Sequence, residues 1–242
     1  MDEIHKVVTG FSLIAETGLF SQLAPSAKPL SHPWPIAVTL PALTMMQIAT
    51  FDALVSLGMK PTAIVGHSAG ETALLYASGA GSKAMAIELA IARGQAMTIV
   101  EGSQGTMAAV SCTPEQAQEI ISQMYSEQGK VDLDIGCYNS PSAVTLSGLS
   151  TDIDVAVERA KAAGFFAKRL NTAVPVHSKR MDPCRDEYKC LVTDIFDRYP
   201  RNRLTSQRIP LYPERSKRTH TAQNIIGLAH VVQCNLPTLS NV

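Results

Sequence analysis

The hydrophobic and polar positions of the first hundred residues predict helices around one short buried strand. Apolar residues recur at helical spacing from Ala42 to Leu57, and the pattern stops at Gly58. A short apolar run follows Lys60-Pro61, which is typical of a buried strand. Together these patterns predict helices at residues 2–24, 42–57, 69–80 and 83–100, a strand at 61–66 and a proline-rich connector at 25–35.

The middle third of the chain has a different pattern, in which short strands alternate with helices. Thr113 followed by Pro114 indicates a helix start, with threonine as the capping residue and proline in the first position. Strands are predicted at residues 107–112, 131–138, 143–148 and 165–170, with helices that begin at 113 and span 152–164. Strand–helix–strand–strand–helix–strand is the order of a split βαβ unit, which predicts a small ferredoxin-like subdomain.

The composition excludes several classes of function. Lys and Arg number 21 and balance 21 Asp and Glu, so no strongly basic surface for a nucleic acid is expected. The five cysteines are scattered without paired spacing, which favours reduced thiols over a disulfide framework or a zinc site. The N-terminus lacks the regions of a signal peptide, and no apolar run of about 20 residues is recognised. We therefore expect a cytoplasmic protein that uses no membrane, nucleic acid or metal.

The sequence Gly66-His67-Ser68-Ala69-Gly70 stands between the predicted strand and the next helix. A G-x-S-x-G turn in this context is a nucleophile elbow, which holds the serine hydroxyl out above the sheet edge. The amide of Ala69 begins the helix, so it can stabilise an oxyanion at the same point. The alternative interpretation is a glycine-rich turn with a capping serine. The flanking strand and helix favour Ser68 as a nucleophile.

A serine nucleophile requires a general base, and six histidines are available. His67 is a poor choice because consecutive side chains diverge at a sharp turn. His177 follows the last strand of the small unit, in a strand-end loop where catalytic groups are commonly displayed. A surface histidine in a loop is the alternative, but its position favours His177 as the base. The remaining four histidines lie in the predicted first helix, the connector and the tail, where no neighbouring motif indicates catalysis: His5, His32, His220 and His230.

Four segments of the chain resemble one family in order and spacing: GHSAGE at 66–71, IARGQAM at 91–97, NSP at 139–141 and VHSKRMDP at 176–183. They resemble the malonyl-CoA:acyl-carrier-protein transacylases, and most of all the acyltransferase domains of fungal iterative polyketide synthases. The resemblance covers roughly residues 1–200. It implies an α/β fold, with an α/β-hydrolase-like core and an inserted ferredoxin-like subdomain. The expected divisions are residues 1–105 for the first part of the core, 106–172 for the subdomain, 173–200 for the return to the core and 201–242 for a divergent tail.

The resemblance also implies a role for each matching residue. Ser68 would be acylated from an acyl-CoA thioester, and His177 would act as the base in both half-reactions. Arg93 would hold the free carboxylate of a malonyl group, whereas the sequence alone favours a solvated helix charge at this position. The implied substrates are malonyl-CoA and the phosphopantetheine thiol of an acyl carrier protein, with no bound cofactor.

The chain departs from the family pattern at three places. A Gly-Gln-Gly segment, whose glutamine completes the oxyanion hole, is expected to precede Met1, and residues 102–105 cannot replace it. Residues 201–242 lose the family pattern and become more basic and irregular. The tetrapeptide at 174–177 is Val-Pro-Val-His, which matches neither the sequence implied for malonyl nor that implied for methylmalonyl. The extender unit is therefore open between the two.

Two other functions remain open from the sequence. A serine esterase would require an acid between the serine and the histidine, and the available residues are Asp132, Asp134, Asp152 and Asp154. All four lie within the predicted subdomain, where no triad acid is expected, and Arg93 would have no role in an esterase. The third possibility is an inactive remnant of an acyltransferase domain.

Overall fold

The computed structural model describes residues 34–199 and the backbone of residues 211–213. The elements are α1 (Ile36–Ser56), β1 (Ile64–Gly66), α2 (Gly70–Ala77), α3 (Lys83–Met97), β2 (Gly105–Val110), α4 (Pro114–Gln128), β3 (Leu133–Ser140), β4 (Ala143–Leu149), α5 (Ser150–Ala162), β5 (Ala167–Arg169), a 3-10 helix (Lys179–Cys184), α6 (Arg185–Arg198) and β6 (Leu211–Pro213). The helix predicted at residues 2–24 and most of the predicted connector lie outside the described residues.

Helices α1, α2, α3 and α6 share one hydrophobic core. Helix α3 is central to it, because most of its residues are buried and apolar residues face its neighbours on all sides. The segment after the antiparallel sheet returns to this core through Val174 and Met181, which are both almost fully buried. Residues distant in sequence are therefore brought together around α3.

Helices α1 and α3 cross closely at Gly94. A Cβ atom at this position would lie 2.9 Å from the Cα of Ala37, which is closer than real side chains approach a backbone. The carboxylate of Glu101, shortly after α3, accepts a hydrogen bond of 2.7 Å from the backbone N–H of Ile36. It thereby caps the first turn of α1 and satisfies one of its unpaired donors. The crossing fixes the position of Arg93, the residue before Gly94.

Helix α1 begins six residues before the predicted start at Ala42, and it includes Pro41. The proline removes one helical hydrogen bond, but burial of the first turn and the Glu101 cap stabilise the residues before it. By length and composition alone, the 21 residues of α1 could also cross a membrane. The sequence prediction missed an apolar segment of this length. A mostly buried core helix passes the same test. In α1, 28% of the apolar window is buried, and the buried residues lie between Ile36 and Ile48.

Strand β1 pairs in parallel with β6, with Ile64 opposite Leu211 and Gly66 opposite Pro213. Strand β6 belongs to the segment predicted to be a divergent tail, so the described part of that segment contributes to the sheet beside the elbow. Residues 200–210 and 214–242 lie outside the described part of the chain.

Residues 105–169 form a second layer with its own hydrophobic core. Its four strands are antiparallel in the order β3-β4-β2-β5, and α4 and α5 supply apolar residues to that core. The predicted strand–helix–strand–strand–helix–strand order is present. Thr113 caps α4 as predicted, in a reciprocal pair with Gln116 and with Pro114 in the first turn. The predicted element boundaries shift by a few residues only.

Candidate active site

Ser68 lies in the turn between β1 and α2, with a backbone φ of 51°. Positive φ is uncommon for a residue with a side chain, and it persists only where the surroundings enforce it. The turn is closed by a hydrogen bond of 2.8 Å from the Gly70 N–H to the His67 carbonyl. This strained turn presents the Ser68 hydroxyl, as the predicted elbow requires.

The two glycines that flank the turn do not contribute equally. A Cβ atom at Gly66 would lie 2.6 Å from Cδ1 of Leu74 and 3.0 Å from the Cα of Glu71, so only glycine allows β1 to approach α2 this closely. At Gly70 the nearest atom would be the Gln47 side-chain nitrogen at 3.7 Å, an ordinary contact. Close approach of the strand to the helix therefore requires glycine at position 66 and does not require it at position 70.

The Ser68 hydroxyl and the His177 imidazole are hydrogen bonded, with 2.8 Å between Oγ and Nε2. The two residues are 109 positions apart in sequence, and the sequence analysis had predicted that His177 would reach the serine. The hydroxyl can donate this bond only when Nε2 carries no proton, so a neutral imidazole in that tautomer is in position to accept the serine proton.

His177 reaches the serine because the antiparallel sheet supports its backbone. A Cβ atom at Gly136 in β3 would lie 3.1 Å from the Cβ of His177 and 3.2 Å from the Cβ of Ser147 in β4. The absence of a side chain at Gly136 therefore makes room for the histidine. His177 has a φ of 67°, and the following residue, Ser178, donates its hydroxyl to the Pro175 carbonyl at 2.7 Å. His177 is thus held in a second strained turn, within hydrogen-bond distance of the first.

Burial keeps the His177 imidazole neutral. Its residue is only 8% exposed, and burial together with the nearby charges of Arg93 and His67 lowers its pKa from 6.5 to about 4. Burial is the largest cause, because a charged imidazole loses its hydration in this position. At neutral pH the ring is therefore present as the free base.

We expect the His177 imidazole to stay neutral from pH 7 to about pH 5 and to titrate near pH 4. Below about pH 6.5 the unfolded chain binds a proton at His177, whereas the folded chain binds it only near pH 4. Protonation of His177 therefore favours the unfolded chain, and the free energy of unfolding decreases as the pH falls from 6.5 toward 4. The measurement is an NMR titration of the His177 ring proton, assigned by comparison with a His177→Gln variant. A midpoint close to 6.5 would contradict the burial argument.

Arg93 is a buried cation beside Ser68. It is 4% exposed, and its Nη1 donates a hydrogen bond of 3.2 Å to the backbone carbonyl of Ser68. Its Nε is buried without a hydrogen-bond partner, and no ion pair joins Arg93 to a carboxylate within residues 34–199. The interpretation of Arg93 as a solvated helix charge is therefore wrong. A buried guanidinium with a spare donor has the geometry to bind an anion.

The backbone N–H of Ala69 is also available at this point. It donates to no acceptor among the described residues, although the neighbouring amides of Gly70 and Glu71 are both bonded within the turn. Ala69 directly precedes α2, so the partial positive charge of the helix N-terminus lies behind this amide. An oxyanion formed at Ser68 would find one backbone donor here.

The residues considered as alternatives are engaged elsewhere. His67 is exposed and acts on His177 through its charge, while the serine hydroxyl bonds to His177. Three of the four candidate esterase acids have partners in the antiparallel layer or at its border, since Asp132 pairs with Arg180, Asp154 pairs with Arg169, and Asp152 accepts from the Asp132 amide. The other four histidines lie outside the described residues.

The sequence analysis did not single out Glu71 or Tyr188. Both are buried, and the charges of Arg93 and Glu71 act on the Tyr188 hydroxyl, whose pKa burial raises to about 12. Glu71 was visible as the last residue of the motif at 66–71, but Tyr188 had no sequence signal besides its helical position. Together with Arg93 they form a buried polar group next to the elbow.

Comparison with known families gives one match over most of the chain. The family model described as "Acyl transferase domain" matches residues 26–230, which extends past residue 200, where the sequence resemblance was expected to end. A highly reducing polyketide synthase of Strobilurus tenacellus is 40% identical over 221 residues, which is 90% of this chain and 8% of that protein. A reducing polyketide synthase of Floropilus chiversii is 37% identical over 158 residues, 65% of this chain and 6% of that protein. The chain thus spans less than a tenth of these relatives.

Solved structures agree with this match. The malonyl CoA-acyl carrier protein transacylase of Coxiella burnetii is 26% identical with a TM-score of 0.69, over 96% of this chain and 71% of that one. The acyltransferase domain of an iterative polyketide synthase in enediyne biosynthesis is 26% identical with a TM-score of 0.61, over 76% of this chain and 46% of that one. The α/β architecture described above is therefore shared with solved acyltransferases.

Proposed function

Because the chain belongs to the acyl transferase domain family, we propose that it transfers a malonyl-type acyl group from coenzyme A to an acyl carrier protein through an acyl-Ser68 intermediate. The observation that carries the proposal is the hydrogen bond of 2.8 Å between Ser68 and His177, with Arg93 buried beside it. The antiparallel layer is the proposed ferredoxin-like subdomain, inserted into an α/β-hydrolase-like core.

In the first half-reaction the Ser68 oxygen attacks the thioester carbonyl while His177 takes the hydroxyl proton at Nε2. The carbonyl π electrons move to oxygen, and the resulting oxyanion accepts a hydrogen bond from the Ala69 N–H. When the carbonyl re-forms, the carbon–sulfur bond breaks and His177 gives its proton to the departing CoA thiolate. The acyl group is then held as an ester on Ser68.

The second half-reaction reverses these steps with another thiol. His177 takes the proton of the phosphopantetheine thiol of the carrier protein, and the sulfur attacks the Ser68 ester. The serine oxygen leaves and recovers its proton from His177, which restores the starting state. No oxidant, reductant or bound cofactor is consumed in either half-reaction.

Arg93 is proposed to select a carboxylated acyl group. A malonyl carboxylate offers two oxygens to a planar guanidinium, and this pairing would give a partner to a buried cation that has no ion pair within residues 34–199. A neutral acyl group would leave the cation unpaired, which is costly in a buried site.

The test is incubation of the chain with malonyl-CoA, with and without an acyl carrier protein, followed by intact-mass measurement of both proteins. We expect one malonyl group on the chain alone and its transfer to the carrier when that protein is added. Rapid release of free malonate with no transfer to the carrier would instead support an esterase. A chain that acquires no acyl group while remaining folded would overturn the proposal.

A further inference from the structure

Arg180 joins the segment that carries His177 to two other parts of the chain. It lies three residues after the histidine, in the 3-10 helix Lys179–Cys184. Its Nη1 donates to Oδ2 of Asp132 at 2.5 Å, and its Nη2 donates to the Ser103 carbonyl at 2.6 Å. The planar guanidinium therefore holds both partners in a fixed geometry.

The two partners of Arg180 belong to different layers of the molecule. Ser103 lies in the turn between α3 and β2, where the chain leaves the helical core. Asp132 precedes β3, and its backbone is bonded to Asp152 and Leu149 at 2.8 Å each. One side chain thus links the helical core, the antiparallel layer and the returning segment.

This link bears directly on the position of His177. The histidine belongs to no helix or strand, and its positive φ requires support from its surroundings. On one side it lies against Gly136 of the antiparallel layer, where a Cβ atom would approach the histidine to 3.1 Å. On the other it must meet Ser68 of the helical core at 2.8 Å. A shift between the two layers would therefore change the distance from the base to the nucleophile.

The stability that this ion pair supplies is small. The side chains of Arg180 and Asp132 are 23% and 41% exposed, and ion pairs that are exposed to this degree contribute little to the free energy of unfolding. The main consequence of the contact is then geometric. Catalytic groups are sensitive to such geometry, since a displacement of about 1 Å can slow a reaction by about 100-fold.

We propose that Arg180 is a positioning residue, which fixes the antiparallel layer against the helical core and thereby holds His177 within hydrogen-bond distance of Ser68. The inference rests on the proposed function only in taking Ser68 and His177 as the reacting pair. Arg180 itself touches no reacting atom.

The experiment compares Arg180→Gln with a matched control, Arg185→Gln. Arg185 is the first residue of α6 and pairs at 2.5 Å with Asp182, three residues earlier in the adjoining 3-10 helix, so this pair does not join the two layers. The first readout is the NMR titration of His177, which requires no enzymatic activity. In Arg180→Gln we expect the midpoint to rise from about 4 toward 6.5, because a displaced imidazole becomes hydrated. In Arg185→Gln it should stay unchanged.

The second readout is the rate at which a fluorophosphonate probe modifies Ser68. We expect Arg180→Gln to slow this rate by about 10- to 100-fold, with a melting temperature close to that of the parent chain. Arg180→Lys keeps the positive charge but loses the planar guanidinium that bonds both partners at once. Its labelling rate should lie between those of Arg180→Gln and the parent chain. Asp132→Asn removes the ion pair but keeps the bond from Arg180 to Ser103, so it should slow the labelling rate by a smaller factor. If Arg180→Gln does not fold, Asp132→Asn is measured in its place.

An unchanged His177 midpoint and an unchanged labelling rate in a folded Arg180→Gln chain would overturn the proposal. The proposal would also be overturned if the midpoint and the labelling rate changed equally in Arg180→Gln and Arg185→Gln, because loss of any arginine in this region would then have the same effect. Failure of the proposed function appears separately, as a parent chain that the fluorophosphonate labels but malonyl-CoA does not acylate. In that case the NMR comparison still decides the role of Arg180.

Discussion

Replacing Ser68 by alanine is expected to abolish covalent acylation of the chain by malonyl-CoA. The hydroxyl is the oxygen that the strained elbow turns toward His177, at 2.8 Å from Nε2. Alanine removes that oxygen and leaves the neighbouring backbone donors in place. The measurement is the intact mass of the variant after incubation with malonyl-CoA, compared with the parent chain. Acylation of Ser68→Ala at the parent level would exclude Ser68 as the nucleophile.

The matched control is Ser78→Ala, which removes a buried hydroxyl at the opposite end of the same helix. Ser78 donates to the Leu75 carbonyl and lies away from the elbow, so this variant should still be acylated. A His177→Ala variant adds a second comparison, because it keeps the oxygen and removes only the base. Loss of a general base slows such reactions by about 10²–10⁴-fold, so slow acylation should remain.

Local sequence patterns predicted the order of elements in the antiparallel layer and the strand, turn and helix around Ser68. These elements are each indicated by a few consecutive residues, namely the capping residues of α4 and the short apolar runs of β2 and β4. The observed order of elements agrees with these local patterns. The elbow is also local, since a strand, a turn and a helix follow one another without a break. The pairing of Ser68 with His177 was predicted by exclusion among six histidines, and the structure brings these two side chains together.

Features that depend on packing could not be predicted in the same way. The early start of α1 rests on a carboxylate from Glu101, 65 residues away, and on burial of its first turn. The orientation of Arg93 depends on the crossing of two helices at Gly94, which no periodicity reveals. The contacts of Arg180 join three segments that are distant in sequence. Each of these interactions exists only after the layers have assembled.

The charges of the site also interact in a way that the sequence did not indicate. Arg93 and His67 both disfavour a proton on His177, so the free site contains a neutral but weak base. A carboxylate bound to Arg93 would offset its charge and raise the pKa of His177. The base would then become stronger when a carboxylated acyl group is present. Under the proposed function, the choice of substrate would therefore affect the proton transfer itself.

Replacing Arg93 by alanine is accordingly expected to change which acyl group is loaded. The guanidinium is 4% exposed and has a buried Nε with no partner, so a malonyl carboxylate would complete its hydrogen bonds. Truncating one partner of a buried charge pair costs about 2–4 kcal/mol, which corresponds to a shift of about 30- to 1,000-fold in the malonyl-to-acetyl loading ratio. The measurement is the relative rate of acylation by malonyl-CoA and acetyl-CoA, followed by intact mass.

The malonyl-to-acetyl loading ratio distinguishes a loss of acyl-group selectivity from a general distortion of the turn at Ser68. Arg93 also donates to the Ser68 carbonyl, so its loss can slow both acylations equally, and a common factor cancels in the ratio. Lys83→Ala is the control, because it removes a half-exposed cation from the other end of α3 and should leave the ratio unchanged. The pKa of His177 should rise in Arg93→Ala but stay below 6.5, since burial, the larger cause of its lowering, remains. A ratio equal to that of the parent chain would show that Arg93 serves the structure of the elbow and does not select the acyl group.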